Sequence, residues 1–363
     1  MQKKPKLYIP GPTHVQDEVL SSLSDYPIGH RSKDFSILYE EIMKPLSKLL
    51  FTTNRIYLST SSATGLWEAA VRNSVQKKCV NFVCGAFSKK WHDITKMSGL
   101  EADMISVDLG KPITPEIVDN ALSSGKYDVM TYVHNETSTG LMNPLEDVAK
   151  VMKKYPDVLF LVDAVSSLTS VKIEVDKLGI DLILASVQKG FSLPPGFSFC
   201  TVSDRLLETS KKCKNKGYYF DFEVFEKYAL KSQTPSTPSI PHMYAMKTQL
   251  NKIFNEGLDN RFNRHKEMAK KMRAWAIDKG FGLFPEEGYY SETLTCIKND
   301  LNIDVNDFQR KLLEKGYMIS GGYGPLKGKN FRVSHMGDIN MKDVNEIIEV
   351  MDQTLEEMSW KKF

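Results

Sequence analysis

Between residues 55 and 205 the chain alternates short apolar runs with longer stretches of helical periodicity. The runs at 79–84 (CVNFVC), 128–133 (DVMTYV), 158–162 (VLFLV) and 182–185 (LILA) are apolar nearly throughout. A strand with one wet face alternates polar and apolar side chains, so a continuous run requires cover on both faces. Residues 56–58 and 104–107 are shorter runs of the same kind, and helical patterns at 65–74 and 88–98 lie between them. Strands alternating with helices in this way predict an α/β fold whose mainly parallel sheet is covered by helices.

After Lys231 the texture changes. Residues 233–238 (QTPSTP) are polar and broken by proline, which excludes a regular element. Helical periodicity then runs from 242 to 279, interrupted near Glu256-Gly257. Met246, Leu250 and Ile253 share one face, and Phe262, Met268 and Met272 share another. Beyond Gly280 the pattern predicts strands at 292–297, 317–319 and 331–334 and helices at 305–315 and 342–358. A length of 363 residues suits about two domains. The expected division is a large α/β domain over 14–255 and a smaller C-terminal α+β domain over 256–363, with the segment 1–13 packing near the active site.

Charge narrows the function classes. Lys+Arg 48 against Asp+Glu 45 leaves a net charge of +3, which gives no general field for nucleic acid or an anionic membrane. Two basic clusters, Lys3-Lys4-Lys6 and Lys211-Lys212-Lys214-Lys216, read as solvated surface. No run approaches the roughly 20 apolar residues of a membrane span, and the N-terminus is too short and broken for a signal segment. Cysteines at 79, 84, 200, 213 and 296 form no C-x-x-C pair, so reduced thiols, a cytoplasmic protein and no metal site are expected.

Several polar residues stand at the carboxyl ends of the expected strands, where open α/β sheets bind ligands. Lys189 follows the run 182–185; a desolvated lysine there can lose its proton and attack a carbonyl, whereas a lone lysine is more often surface. Asp163 follows 158–162. It reads either as the partner of a cation such as a protonated pyridine nitrogen or as the cap of a following helix. The run 59–65 (STSSATG) between strand and helix makes an anion cup or a plain helix cap. Residues 134–140 (HNETSTG) crowd another strand end. Arg332, in an otherwise apolar strand, needs either an anionic ligand that its forked donors can hold or an internal salt bridge.

Together these segments resemble the class V aminotransferases, a pyridoxal phosphate family, most nearly its serine–pyruvate and alanine–glyoxylate branch, with phosphoserine aminotransferase close by. The resemblance spans nearly the whole chain: Gly11-Pro12-Thr13, residues 29–35 (GHRSKDF), 136–140 (ETSTG), Asn143-Pro144, 162–167 (VDAVSS), Gln188-Lys189, Pro194-Pro195-Gly196 and 331–337 (FRVSHMG). It implies fold type I and pyridoxal 5′-phosphate as cofactor, held by Lys189 as an internal aldimine. The freed lysine amine would carry the proton between the substrate α-carbon and the cofactor, while Asp163 would pair with the ring nitrogen. Val165 would pack under the ring, Phe87 would stack on it and Thr137 would bond its phenolic oxygen. Ser62, Ala63, Thr64 and Gln188 would hold the phosphate, and Thr237 would reach the phosphate of the other subunit in a homodimer with shared sites. Arg332 would clamp the substrate carboxylate, with Gly11, Gly29, His30 and Arg31 also on the substrate side. Two positions depart from the pattern: Ala63 replaces a glycine, and Phe87 stands where some relatives carry tryptophan.

The reaction implied is transfer of an amino group from serine or alanine to glyoxylate or pyruvate. His30-Arg31 could instead bind a side-chain phosphate, which makes phosphoserine with 2-oxoglutarate the alternative. A lyase such as a cysteine desulfurase would need a reactive thiol on a mobile loop. Cys200 and Cys296 look buried, and only Cys213, in the lysine-rich patch that could lower its pKa, stands out. A binding protein that merely kept the fold would not need Lys189, Asp163 and Arg332 together.

Overall fold

The computed structural model describes residues 4–358. Its centre is a seven-stranded sheet in the spatial order Arg55–Ser59, Ser198–Val202, Leu182–Ser186, Leu159–Asp163, Val129–Val133, Cys79–Val83 and Ala102–Ser106. The last five strands are parallel to one another. Ser198–Val202 runs antiparallel to both of its neighbours.

Successive side chains enter two different cores. Val129, Leu159, Leu161, Leu182 and Leu184 pack on one face of the sheet, and Met130, Tyr132, Phe160, Val162 and Ile183 on the other. Helices Ala63–Arg72 and Ala86–Met97 contribute to the first core, and Lys33–Leu50 and Ile240–Glu256 to the second. Burying each such side chain is worth about 1.5–3 kcal/mol, so both faces select apolar residues and the polar alternation disappears. Because a slip of one residue would exchange the two faces, the same packing fixes the register. That register sets Asp163 beside Val133 and Leu184, at the carboxyl edge of the sheet.

A second, antiparallel sheet has the order Gly282–Leu283, Leu294–Lys298, Asn330–Ser334, Ser320–Gly321. Helices Leu258–Asp278 and Met341–Glu357 close a third core around Met268, Met272, Phe331, Val333 and Ile347. The long helical pattern divides at Gly257, as its sequence predicts, and residues 233–238 form no regular element. Near the N-terminus, Lys6–Leu7 pairs in parallel with Tyr317–Met318.

One surface expectation needs correction. Lys216 is buried rather than solvated, because Asp221 at 2.9 Å and Glu223 draw its ammonium inward. Lys3, and residues 359–363 of the expected small domain, lie outside the described residues. Among the described residues, no helix is long and apolar enough to cross a membrane, and no group of His, Cys, Asp or Glu is arranged to hold a metal ion.

Candidate active site

Lys189 lies three residues beyond the strand Leu182–Ser186, in a turn that folds it under the protein surface; it is 8% exposed. The N-terminal segment is laid across this turn. Thr13 N–H donates to the Gln188 carbonyl at 3.0 Å, Thr13 Oγ1 donates to the Lys189 carbonyl at 2.9 Å, and Lys189 Nζ donates to the Pro10 carbonyl. Gly11 must be glycine here: its φ is +108°, and a Cβ would stand 2.8 Å from the Lys189 side chain. Burial pulls the Lys189 ammonium down to about 8, the Arg332 charge works in the same direction, and Asp163 and Glu136 oppose them.

Asp163 ends its strand and caps no helix; residues 165–170 form turns. Its Oδ1 accepts from Val165 N–H at 2.7 Å and its Oδ2 from the Trp67 indole N–H at 2.8 Å. Burial raises the carboxyl to about 7 despite these two donors. This acid is therefore poised to ionise when a cation meets it.

Ser62 stands at the N-cap of helix Ala63–Arg72, and its side chain makes no capping bond. The hydroxyl and the first helical amides are thus available to an anion. Ser62, Ala63, Thr64, Trp67, Phe87, Asn135, Thr137, Asp163, Val165, Gln188 and Lys189 line one cavity of about 90 Å3. Phe87 is held from behind: Glu136, fully buried, accepts from Phe87 N–H at 3.3 Å and Ser88 N–H at 3.0 Å. Lys189 Nζ lies 5.8 Å from the centre of the Phe87 ring.

Arg332 comes from the other sheet. Its guanidinium donates to the Gly321 carbonyl at 3.0 Å and to the Thr137 carbonyl at 3.0 Å. No carboxylate pairs with it among the described residues, so the internal salt bridge is absent. Burial lowers its pKa, which marks the strain of an unneutralised cation. Thr137 Oγ1 shares a hydrogen with Ser166 Oγ.

Six expected site residues do not line this cavity: Gly11, Gly29, His30, Arg31, Thr237 and Arg332. Thr237 and Gly29 are exposed, His30 is half-buried, and Arg31 turns away. The Arg31 guanidinium donates to the Thr234 carbonyl at 2.7 Å and the Pro235 carbonyl at 3.1 Å, and lies 4.7 Å from the Tyr228 ring. Trp67 also lines the cavity and is not singled out by the sequence reading, while Asn135 enters that reading only as part of the run 134–140. Trp67 carried a usable signal, since it sits one helical turn after Ala63 and shares its face.

A buried lysine, a buried acid and an uncapped helix start share one cavity at a sheet edge, with an arginine nearby that no carboxylate pairs with among the described residues, an arrangement suited to a phosphorylated carbonyl cofactor. Two comparisons of sequence and one of structure place it. The class-V aminotransferase family model matches residues 7–322, and the chain belongs to this family. It is 38% identical to an uncharacterized aminotransferase of Methanocaldococcus jannaschii, over 99% of this chain and 94% of that one. It is 30% identical to a serine–glyoxylate aminotransferase of Arabidopsis thaliana, over 92% and 86%. Its backbone superposes on the alanine–glyoxylate aminotransferase of Nostoc sp. with a TM-score of 0.92 at 30% identity, covering 97% and 95% of the two chains. The architecture is fold type I, and the protein is a pyridoxal phosphate-dependent transaminase that works on amino acids and 2-oxo acids.

The residues present fit that cofactor. The uncapped helix start suits its phosphate and the Asp163 carboxyl its ring nitrogen. Both polar atoms of the buried Asn135 amide lack a partner in the same cavity, as a site awaiting a polar ligand requires.

Proposed function

We propose that the protein transfers the amino group of serine or alanine to glyoxylate or pyruvate, with Lys189 covalently bonded to the cofactor aldehyde in the resting enzyme. The observation that carries this reading is Arg332: buried, hydrogen-bonded to two backbone carbonyls, unpaired with any carboxylate among the described residues, and near enough to Lys189 for its charge to act on that ammonium. A carboxylate is the ligand its fork fits best.

Pyridoxal phosphate, when bound, supplies an electron-accepting ring that stabilises negative charge on the substrate α-carbon. In this reading Ser62, Ala63, Thr64 and Gln188 bind its phosphate, Phe87 and Val165 sandwich its ring, and Thr137 bonds its phenolic oxygen. Ionised Asp163, oriented by Trp67 and Val165, keeps the ring nitrogen protonated. Lys189 Nζ takes and returns the α-carbon proton; with its pKa near 8, a useful share is neutral at neutral pH. Arg332 orients the substrate by its carboxylate, with Gly11 packed against the lysine stem. Thr237 is assigned to the cofactor phosphate of a second copy in a homodimer, and Gly29, His30 and Arg31 to shaping the loop on the substrate side. The cofactor-binding unit is taken as 14–255 and the smaller unit as 256–363. Five free cysteines suit a reducing, cytoplasmic compartment.

The phosphoserine alternative is weaker because Arg31 already engages two carbonyls and an aromatic face. The desulfurase reading loses its thiol. Cys213, expected to be activated by its lysines, is instead pushed up to about 11, because burial outweighs the Lys216 charge. The test is a half-reaction screen: each amino acid is added alone to cofactor-loaded protein, and conversion of the cofactor to its amine form is followed by absorbance. Serine or alanine should react. A phosphoserine preference of orders of magnitude would overturn the assignment.

A further inference from the structure

Tyr323 is a large aromatic residue left 45% exposed beside Phe87, whose ring lines the cavity. Its ring centre is 5.5 Å from that of Phe87, inclined at 37°, and 5.7 Å from the Arg332 guanidinium carbon. Phe87 in turn faces Lys189 Nζ. The reactive amine, the stacking ring and the carboxylate-ready arginine are thus joined on one side by a single aromatic wall.

The wall is not a loose side chain on a free loop. Gly321 accepts a hydrogen bond from Arg332 Nε at 3.0 Å, two residues before Tyr323. The next residue, Gly322, passes so close to the Leu326 carbonyl that a Cβ would stand 1.9 Å from its oxygen. Leu326 N–H then closes a turn on the Tyr323 carbonyl at 3.1 Å. Arg332 and the tyrosine backbone are held together, and the cation–aromatic contact holds the ring over the guanidinium.

We propose that Tyr323 is a specificity-determining residue: it stands over the substrate side chain and restricts amino donors to those with short ones. The inference rests on Arg332 as the carboxylate clamp. An α-amino acid with its carboxylate on Arg332 and its nitrogen toward Lys189 has its α-carbon between the two. Its remaining substituent then lies under the Tyr323–Phe87 wall. Serine or alanine fits beneath that wall; a longer side chain must push the ring off both Phe87 and Arg332.

The experiment compares cofactor-loaded wild type, Tyr323→Phe and Tyr323→Ala by two readouts. The first is the ratio of second-order rate constants for alanine and phenylalanine in the donor half-reaction. The second is the calorimetric affinity for two unreactive carboxylates, acetate and 3-phenylpropionate. Tyr323→Ala should move both ratios toward the bulky member by about tenfold or more. Tyr323→Phe should keep the wild-type ratios. Unchanged ratios in Tyr323→Ala would overturn the proposal. If neither serine nor alanine reacts with wild type, the donor assignment fails, while the carboxylate series still decides the role of Tyr323. If Arg332→Ala binds acetate as well as wild type does, the clamp fails and the proposal fails with it.

Discussion

Replacing Trp67 by Phe removes one N–H from a buried carboxylate and little else. The indole donates to Asp163 Oδ2 at 2.8 Å, and the residue is 3% exposed, stacked on Trp91 with ring centres 6.1 Å apart. A phenyl ring keeps much of that packing. Ionised Asp163 would retain only the Val165 N–H at 2.7 Å. A hydrogen bond to a charged group contributes about 1.5–3 kcal/mol, so the ionised acid should be harder to maintain by that amount. Because the cofactor ring nitrogen is proposed to bind the ionised acid, affinity for pyridoxal phosphate should weaken roughly 10- to 150-fold. The assay is titration of cofactor-free protein with pyridoxal phosphate, followed by absorbance, beside thermal unfolding of the cofactor-free forms to monitor packing. Equal affinity in the variant and wild type would refute the view that this indole sustains the charge on Asp163.

Two further outcomes are expected. Burial holds the Asp163 carboxyl at about 7 in cofactor-free protein, against 3.8 for an ordinary aspartate. The folded chain therefore keeps a proton there that the unfolded chain loses above about pH 4. Stability should accordingly fall as pH rises from about 4 to 7 and level off beyond, with Asp163 accounting for on the order of 4 kcal/mol. Denaturant unfolding of Asp163→Asn across that window should lack this component; parallel pH profiles for the two proteins would contradict it. Arg332→Ala should lower kcat/KM by about 100- to 1000-fold, mainly through KM, while the absorbance of bound cofactor is retained. A kcat/KM unchanged by the substitution would show that another group holds the carboxylate.

The parts of this design legible in the sequence are those where burial writes a pattern. The run VLFLV needs two cores, and the structure supplies both, with Leu159 and Leu161 on one face and Phe160 and Val162 on the other. A charged residue directly after such a run, as at Asp163 and shortly before Lys189, has to sit at the edge where ligands bind. Pairing partners were less legible. Nothing in Lys216 announces that Asp221 and Glu223 draw it inside, and nothing in Arg332 tells whether a carboxylate answers it. Arg31 looks like a phosphate ligand until Thr234 and Pro235, more than 200 residues away, take its donors. Trp67 and Tyr323 read as ordinary aromatics, because their roles come from what the fold brings opposite them: Asp163 for one, Phe87 and Arg332 for the other.

The central claim is a covalent bond between the Lys189 amine and the cofactor aldehyde. Borohydride reduction of the cofactor-loaded protein makes that link permanent, and peptide mass spectrometry then locates it. The predicted result is a single modified peptide carrying the added mass on Lys189, absent from Lys189→Ala. Modification of a different lysine, or cofactor retained with Lys189 unmodified, would contradict it.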